Sequence, residues 1–344
     1  MRPVVPTALT RRACVALGAG WPLVLRAKAA PRIFHVMSFD SPWRWTDGQL
    51  AGFREGLDDP QAEVQVFQMD VKRHPGDAAR AERGRLAREA VARWKPDLLY
   101  LSDDDAVAQV GRPLARSALP IVFSGVNRSL AEHDLEGAPN VTGVLEREHV
   151  VETLRLLKSV APQIRRLAVV SDRGSYWDTV IGRVRERIAQ VDGLHLARVD
   201  RVGTFAEYRD RLRACEGEAD AVLHLGILTL ADEHGATVPD WIVQRWVAEH
   251  IRLPDASFWI DRVHNGTLAS VTVSEQEQGR AAGRLARAIL HEGRSPVSLP
   301  VQATLKGHPA ISLPRARQLG LLPSSSVLLS AEVVRRYAWE ATNP

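Results

Sequence analysis

Residues 95–127, KPDLLYLSDDDAVAQVGRPLARSALPIVFSGVN, decide the fold class of this chain. LLYL and IVFSGV are short apolar runs of the kind that form buried strands, and a Pro-Asp pair ends the helical segment before them. Ser102, directly after the first run, is a residue type that favours helix starts. A strand, a helix and a second strand in this order predict two parallel strands joined by a crossover helix. In such a sheet, residues 102–105 and 124–127 would lie in the crevice where α/β proteins bind ligands.

The same alternation begins at residue 31 and runs into the 95–127 stretch. RIFHVMSF and VQVFQM are predicted strands. Segments 46–57 and 76–93 carry apolar residues at helical spacing. This order of strands and helices predicts a parallel α/β sheet rather than an all-β fold.

A second series of the same kind follows a break at residues 136–140 and the short extended piece VTGVL. It begins with a helix at 149–160 and continues through the predicted strands RRLAVVS, LHLARV, DAVLHL, PDASFW and TLASVTV. A helix at 276–291 is expected to lie back on the first series. The tail carries two candidate strands, VQATL and PAISL, and a final helix near 331–339. The chain is thus predicted to form two Rossmann-like lobes with parallel sheets, joined by hinge segments.

The first 29 residues have the pattern of a signal peptide. Arg2, Arg11 and Arg12 form a basic region, ACVALGAGWPLVL is an apolar region, and Ala27-Lys28-Ala29 is a small-x-small cleavage site. The apolar run is well short of the about 20 residues that span a membrane. We therefore expect export to the periplasm, by the general or the twin-arginine route.

Removal of this segment changes the charge of the chain. It contains five basic and no acidic residues, so 40 of the 45 Lys and Arg residues remain against 41 Asp and Glu. A near-neutral mature chain without a base-stacking motif gives no support to nucleic-acid binding. Cys14 also leaves with the signal peptide, so Cys215 has no partner for an internal disulfide.

The mature chain is too long for one small core, which favours two lobes. The expected division is residues 30–142 plus 275–344 for lobe 1 and residues 143–274 for lobe 2. The hinge candidates are segments 141–144 and 270–274.

Several motifs, taken in their order and spacing, carry a resemblance to a known family. They are Lys95-Pro96-Asp97, LPIVFSGV, PNVTGV, LRLLKSVAPQIRRLAVV, ADAVLHL, QGRAAG and PAISLPRARQLGLLP. Together they resemble the ABC-transporter substrate-binding family whose characterised members take up amino acids such as tryptophan. The resemblance implies the type I periplasmic binding-protein fold, with a small-molecule ligand held between lobes that close on it. It also implies an ABC permease and its ATPase as partners, no cofactor and no metal; we expect a monomer.

In this family the loops after the strands line the cleft, which gives a set of candidate ligand-binding residues. They are Ser38, Trp43, Trp45, Ser102, Asp103, Asp104, Ser124, Gly125, Asn127, Asp172, Tyr176, Trp177, Gly226, Trp259 and Asp261. The aromatic residues among them would offer faces to a flat or apolar ligand or to a cation, with packing between loops as the alternative role. Ser102 and Asp103 have a second possible role as helix caps.

The sequence departs from the amino-acid-binding relatives at three loops. It has Asp-Arg-Gly at 172–174 where they carry Asn-Pro-Gly, and Ile227-Leu228 where they carry an Asp-Asn pair. Trp259 replaces a further Asp, although Asp261 follows two places on. An ammonium group would lose these acidic partners, so we expect an aromatic or weakly polar ligand with Asp172 and Asp261 as polar anchors.

Two other functions fit parts of the sequence. A periplasmic ligand-sensing protein that partners a membrane sensor kinase would have the same fold and the same signal peptide. A metal-dependent enzyme would use the acid cluster Asp103-Asp104-Asp105. However, adjacent carboxylates on a turn point in different directions, and the sequence contains no hydrolase elbow, zinc-protease or phosphate-loop motif.

Overall fold

The computed structural model describes residues 30–174, 176–303 and 306–340. The predicted signal peptide lies outside the described residues. From Pro31 onward the chain forms one compact unit built on two sheets. None of the described helices is long and apolar enough to cross a membrane.

The first sheet begins with five strands that alternate with helices. The strands are β1 (Arg32–Met37), β2 (Glu63–Gln68), β3 (Leu98–Ser102), β4 (Ile121–Val126) and β5 (Val141–Leu145). All of them pair in parallel, in the spatial order β5-β4-β3-β1-β2. Every residue of β3 and β4 is buried, as expected for central strands covered on both faces.

Helices α1 (Arg44–Leu57) and α2 (Asp77–Trp94) follow β1 and β2. Between β3 and β4 the chain forms α3 (Asp103–Ala106), a π-helical turn and α4 (Arg112–Leu114). The predicted strand, helix and strand of residues 95–127 are therefore confirmed. The helical segment begins directly at the acid cluster.

The second sheet repeats this pattern. Its strands are β6 (Arg166–Asp172), β7 (His195–Val202), β8 (Ala221–His224), β9 (Asp255–Ser257) and β10 (Ala269–Thr272). They pair in parallel in the spatial order β10-β9-β8-β6-β7. The helices of this part are α5 (Val150–Val160), α6 (Trp177–Arg187), α7 (Phe205–Glu218), α8 (Asp240–His250) and α9 (Ile260–His264).

Helix α10 (Glu275–Leu290) returns to the first lobe, as predicted, and packs against α1. The two helices approach at glycines. A Cβ atom at Gly279 would lie 1.9 Å from the backbone oxygen of Gln49, and one at Gly52 would lie 2.1 Å from that of Gln276. Residues without side chains are therefore required at this crossing.

The tail is divided between the two sheets. The short strand β11 (Gln302–Ala303) pairs with β5 in the first sheet. β12 (His308–Ser312) pairs antiparallel with β10, and β13 (Glu332–Val334) pairs with β12, both in the second sheet. Helices α11 (Leu313–Gln318) and α12 (Ser325–Ser330) lie between these two strands in sequence.

This arrangement corrects the sequence prediction in two places. Residues from 308 onward were assigned to lobe 1, but their strands belong to the second sheet. The predicted final helix is replaced by β13 and a short 3-10 turn at Ala338–Glu340. Arg315 gives the physical reason for the first correction: it is fully buried, bonds to Asp255 and donates to the carbonyl groups of Ala248 and Ile251 in the second lobe.

The chain passes between the lobes at three places in its order of strands. These are the connections from β5 to α5, from β10 to α10 and from β11 to β12. The first begins two residues after the predicted hinge segment 141–144 ends, and the second lies within the predicted segment 270–274. Three connections of this kind let two lobes move as bodies about a common hinge region.

Candidate ligand-binding site

A cavity lies between the lobes, where loops from both sheets meet at the carboxyl ends of their strands. The space accessible inside it is about 40 Å³, so the closed lobes leave a narrow site. The first lobe contributes Phe39, Trp43, Trp45, Asp103, Asp104, Asp105, Gly125 and Asn127, and the connection from β5 to α5 contributes Glu146. The second lobe contributes Tyr176, Trp177, Leu228, Trp259, Asp261 and Arg262.

Two of the lining tryptophans are oriented by buried carboxylates. The indole nitrogen of Trp45 donates to Asp103 Oδ1 at 2.7 Å, and that of Trp259 donates to Glu146 Oε1 at 2.9 Å. Each bond fixes the plane of a large ring from its edge. The ring faces are then set in place before a ligand binds, which lowers the entropy cost of binding.

The other aromatic side chains pack on these two or on each other. The rings of Trp177 and Trp259 are 5.5 Å apart at 75°, and those of Phe39 and Trp43 are 5.1 Å apart at 81°. Both pairs have the edge-to-face geometry that aromatic quadrupoles favour. The Lys72 ammonium lies 3.3 Å from the centre of the Trp43 ring, so one face of that ring already binds a cation.

Asp103 has an unusual conformation and environment for a carboxylate. Its φ is +71°, in the left-handed region, and Gln49 Nε2 also donates to its Oδ1, at 3.2 Å. Its Oδ2 is buried and has no hydrogen-bond partner among the described residues. Burial raises the pKa of Asp103 to about 8, against the opposing hydrogen bonds from Trp45 and Gln49.

Gly125 allows Asp103 to occupy this position. Its φ is +69°, and a Cβ atom there would lie 2.6 Å from Asp103 Oδ1. A side chain at position 125 would therefore meet both backbone strain and a clash. The backbone amide of Gly125 donates to Gln278 Oε1 of α10 at 3.2 Å.

Asp104 is tied to the loop after β4. Its Oδ2 accepts from the backbone amide of Asn127 at 2.9 Å, and its Oδ1 accepts from the amide of Arg128 and from His133 Nε2. Burial alone would raise its pKa, but the His133 bond and the two amide bonds lower it below the ordinary value. Asp104 therefore remains ionised and holds the loop.

The Asp105 side chain points toward helix α2. Its Oδ1 lies 3.8 Å from Arg80 Nε of α2, and burial raises its pKa. The three consecutive carboxylates thus have separate partners, as the turn geometry predicts. No group of three or more His, Cys, Asp or Glu side chains is placed to hold a metal ion in the part of the chain that the structure describes.

Glu146 lies in the connection from β5 to α5 and was not among the predicted site residues. Its Oε2 accepts from Asn127 Nδ2 at 3.1 Å, in addition to the Trp259 bond. Burial, and next the charge of Glu148, raise its pKa well above the ordinary value. Glu148 itself is paired with Arg183, which donates to both of its oxygens at 2.8 Å.

Asp261 and Arg262 form the polar part of the second lobe's wall. Arg262 Nε lies 3.9 Å from Asp261 Oδ2, and burial raises the pKa of Asp261 against the effect of Arg262. Arg262 is 3% exposed, and its Nε and Nη1 have no hydrogen-bond partner among the described residues. It also borders a second, small cavity with His224 and Gln244.

The family model described as ABC transporter substrate binding protein matches residues 46–335, which is most of the chain. The chain belongs to this family. No curated protein matches this substrate-binding protein.

Solved structures of similar fold include three substrate-binding or related proteins. The ABC domain from Streptococcus pneumoniae in complex with L-Trp has a TM-score of 0.72 at 18% identity, over 88% of this chain and 99% of that one. A conserved domain protein from Vibrio cholerae has a TM-score of 0.70 at 20% identity, over 89% and 99%. The ligand-free, open structure of a substrate-binding protein with adhesive properties from Clostridium difficile has a TM-score of 0.65 at 17% identity, over 89% and 100%. At these identities the likeness shows the type I periplasmic binding-protein fold.

Ten of the predicted site residues line the cavity of the substrate-binding protein, and five lie behind its wall. The residues in the lining are Trp43, Trp45, Asp103, Asp104, Gly125, Asn127, Tyr176, Trp177, Trp259 and Asp261. The residues behind it are Ser38, Ser102, Ser124, Asp172 and Gly226. The structure shows that these ten residues line the cavity. That they contact a ligand stays a prediction.

The three serines support the loops of the first lobe. Ser38 Oγ donates to the carbonyl oxygen of Ser102 and accepts from the amide of Ala106, each at 2.8 Å. Ser102 stands at the start of α3 but makes no capping bond, and its hydroxyl is 3.1 Å from His35 Nε2. The hydroxyl of Ser124 bonds to the side chains of Tyr100 and Gln49. These contacts occupy the hydroxyl groups away from the cavity.

Asp172 and Gly226 support the second lobe in the same way. The carboxylate of Asp172 accepts from the backbone amides of Gly174, Leu228 and Thr229 at 2.9 to 3.1 Å, and its side chain is fully buried. A Cβ atom at Gly226 would lie 2.1 Å from Trp177 Nε1. Asp172 was expected to anchor the ligand, but its Oδ1 is bonded to the Gly174 amide after β6 and its Oδ2 to the two amides after β8.

Five lining residues were missing from the predicted list. Phe39, Asp105 and Leu228 lie in loops that the sequence had already placed at the cleft. Glu146 and Arg262 lie outside those loops. Glu146 directly follows the apolar run VTGVL, so a charged residue at a strand end was the available signal. Arg262 follows Asp261 on a short helix, and nothing in the local sequence distinguishes it from a surface arginine.

The lobes contact each other across the cavity. Thr179 Oγ1 of the second lobe donates to Glu132 Oε1 of the first at 2.7 Å, and Thr237 Oγ1 donates to the carbonyl oxygen of Lys72 at 2.7 Å. Arg183 donates to the carbonyl oxygen of Asn127 at 3.0 Å. The structure is therefore the closed arrangement of the two lobes.

Proposed function

We propose that this protein captures a small organic ligand with an aromatic or apolar body between its lobes, in the periplasm, and delivers it to an ABC permease and its ATPase. The observation that carries the proposal is the closed interlobe cavity walled by four tryptophans, two of which are oriented by buried carboxylates. Flat faces held in this way suit a ring or a compact apolar group. Relatives of the same fold were solved with L-Trp and with L-rhamnose, which supports a ligand of this size.

The proposal includes export by the signal peptide at residues 1–29 and a monomeric mature protein that binds without turnover. The diverging partners of Asp103, Asp104 and Asp105 support binding over metal-dependent catalysis. Each carboxylate is committed to a different element, and a shared metal needs convergent oxygens.

The first test is to identify the ligand. Mass spectrometry of small molecules released from the protein purified from periplasm should find one organic compound, and calorimetry should find one site per chain. Trp177→Ala should weaken binding of that compound at least tenfold, because Trp177 lines the cavity and packs on Trp259. Trp241→Ala is the matched control, since Trp241 is 47% exposed on α8 and lies outside the lining. Equal effects of the two substitutions would contradict the proposed site.

Import and sensing are separated by a strain that lacks the protein. Uptake of the labelled ligand should fall to the background rate in this strain and return with the plasmid-borne gene. Unchanged uptake together with a lost response of a membrane sensor kinase would favour the sensing function instead.

A further inference from the structure

The carboxylates of the cavity differ in whether a basic side chain balances their charge. Asp104 accepts from His133 and two amides, Asp105 faces Arg80, and Asp261 faces Arg262. Asp103 and Glu146 are different, because every donor to their side chains is neutral. In the described ranges 30–174, 176–303 and 306–340, no basic side chain lies within 4.0 Å of either carboxylate. The charge of Glu146 also acts on Arg147 and Arg183 at longer range, so Asp103 is the less compensated of the two.

Burying an unpaired carboxylate is unfavourable, and the two sites increase each other's cost. Asp103 and Glu146 are 5% and 2% exposed, and the charge of Asp103 contributes to the raised pKa of Glu146. Asp103 Oδ2 has no hydrogen-bond partner among the described residues, although it belongs to a side chain that lines the cavity. A buried oxygen of this kind at a cavity wall is a place where a ligand donor is expected.

Aromatic rings stand beside both carboxylates. Trp45 and Trp259 use their ring edges to bind Asp103 and Glu146, as described above. A positive charge near their faces would be attracted by the ring quadrupoles as well as by the carboxylates. Aromatic rings combined with unpaired acids are the surroundings in which a protein binds an organic cation.

We propose that Asp103 and Glu146 bind a positively charged nitrogen of the ligand, flanked by the rings of Trp45 and Trp259. The ligand class is an organic amine with an aromatic or apolar body. This inference rests on the proposed function, since it names the charge of the molecule held in the same cavity. The raised pKa values of both groups support it, because a cation would take the place of the protons that they otherwise retain.

The proposal changes the expectation drawn from the sequence. The loss of acids in the second lobe suggested a weakly polar ligand, but the first lobe and the β5 to α5 connection supply two acids of their own. Asp261, the polar anchor expected from the sequence, already faces Arg262 and Lys72. Its contribution to a cationic ligand is therefore smaller than that of Asp103 or Glu146.

The test uses small compounds that share a ring system and differ in charge. Calorimetry on the mature protein, freed of any co-purified ligand, compares tryptamine with tryptophol and indole-3-acetate, and phenethylamine with phenylethanol and phenylacetate. The amine of at least one series should bind ten times more tightly than its alcohol and its acid. If an alcohol or an acid binds as tightly as its amine, or if no amine binds, the inference is overturned.

Substitutions then test which acidic side chains bind the charged nitrogen of the amine. Asp103→Asn and Glu146→Gln should each weaken binding of the better amine at least tenfold and change binding of its alcohol less than twofold. Asp261→Asn is the same kind of change in the same cavity, and it should weaken binding of the amine less than threefold. A larger loss from Asp261→Asn than from either of the other variants would overturn the placement. The melting temperature of each unliganded variant verifies that it is folded.

The two proposals fail in different ways. If a neutral or anionic compound co-purifies and binds in the cavity, the proposed capture function stands and the cation site is wrong. If no small molecule co-purifies and no probe of any charge binds, both are wrong.

Discussion

Asp103, Asp104 and Asp105 are consecutive residues of one type, yet the structure gives each a different state. Burial dominates at Asp103 and Asp105 and raises their pKa values, whereas His133 and two amides lower that of Asp104. The difference arises from donors 20 to 60 positions away in sequence. Adjacent identical residues therefore have separate roles: Asp104 holds a loop, and Asp103 is available to a ligand.

The raised pKa of Asp103 predicts how stability depends on pH. An unfolded aspartate titrates near pH 4, and folded Asp103 titrates near pH 8. Between these values the folded state retains a proton that the unfolded state has lost, so Asp103 makes unfolding easier as the pH rises from 4 to 8. Asp103→Asn should therefore raise the melting temperature of the unliganded protein at pH 8 to 9, with a smaller gain at pH 5.

Thermal unfolding followed by circular dichroism across this pH range tests the prediction. The pKa values of Asp105, Glu146 and Asp261 are also raised, so these acids also make unfolding easier as the pH rises. They remain in the variant. Asp134→Asn is the control, because Asp134 also has a positive φ, of +57°, but its side chain is 70% exposed. An equal or greater gain at pH 5 than at pH 9 would show that the pKa of Asp103 is not raised.

At the scale of elements, the contact between α1 and α10 joins the returning helix to the first lobe. Glycines on both helices allow the backbones to meet, and the same contact positions Gln278 against Gly125 at the cavity wall. The position of α10 therefore influences both stability and the site.

Gly279→Ala is expected to destabilise the protein by about 2 kcal/mol, because its methyl group would overlap the backbone oxygen of Gln49. This cost exceeds the gain of up to about 1 kcal/mol from better helix propensity. Gly182→Ala in α6 is the matched control: nothing lies within 4 Å of a Cβ atom there, so it should stabilise slightly. Chemical denaturation of both variants measures the difference, and equal stability of the two would refute the close packing.

The tail shows a similar dependence on distant contacts. PAISL was predicted as a strand and forms one, as β12, but its partner β10 is in the second sheet. Arg315, next to it in sequence, is held by Asp255 and by backbone carbonyls of the second lobe. Local sequence predicted the strand, and these long-range bonds decided the lobe.

At the scale of the whole molecule, individual hydrogen bonds between described residues join the closed lobes. Thr179 to Glu132 and Thr237 to the Lys72 backbone are two of them. A single bond of this kind contributes about 0.5–1.5 kcal/mol. The balance between open and closed forms can therefore be set by one ligand, whose apparent affinity depends on how readily the lobes close.

Thr179→Val should weaken ligand binding about two- to tenfold, because it removes one bond that exists only when the lobes are closed. Small-angle scattering with saturating ligand should still show compaction of the variant. Ser159→Ala, which removes a hydroxyl bonded within its own helix on the surface of α5, should leave the affinity unchanged. If Thr179→Val leaves the affinity unchanged, the Thr179 bond does not contribute to closure.

The amino-acid sequence by itself determined the α/β class, the order of strands and helices and most of the cavity loops. These features depend on local periodicity and on the rule that ligands bind at the carboxyl ends of parallel strands. The resemblance to substrate-binding proteins rested on the same short motifs, and the family match confirms it.

Only the tertiary structure decided which polar groups at those strand ends remain available to a ligand. Asp172 is the last residue of β6 and so lies at the carboxyl end of its strand, as the acids after β3 do, but three backbone amides occupy its carboxylate. Glu146 is in a connection between lobes and becomes part of the wall because Trp259, 113 residues later, donates to it. Burial and hydrogen-bond partners are properties of the folded chain as a whole, so local sequence cannot specify them.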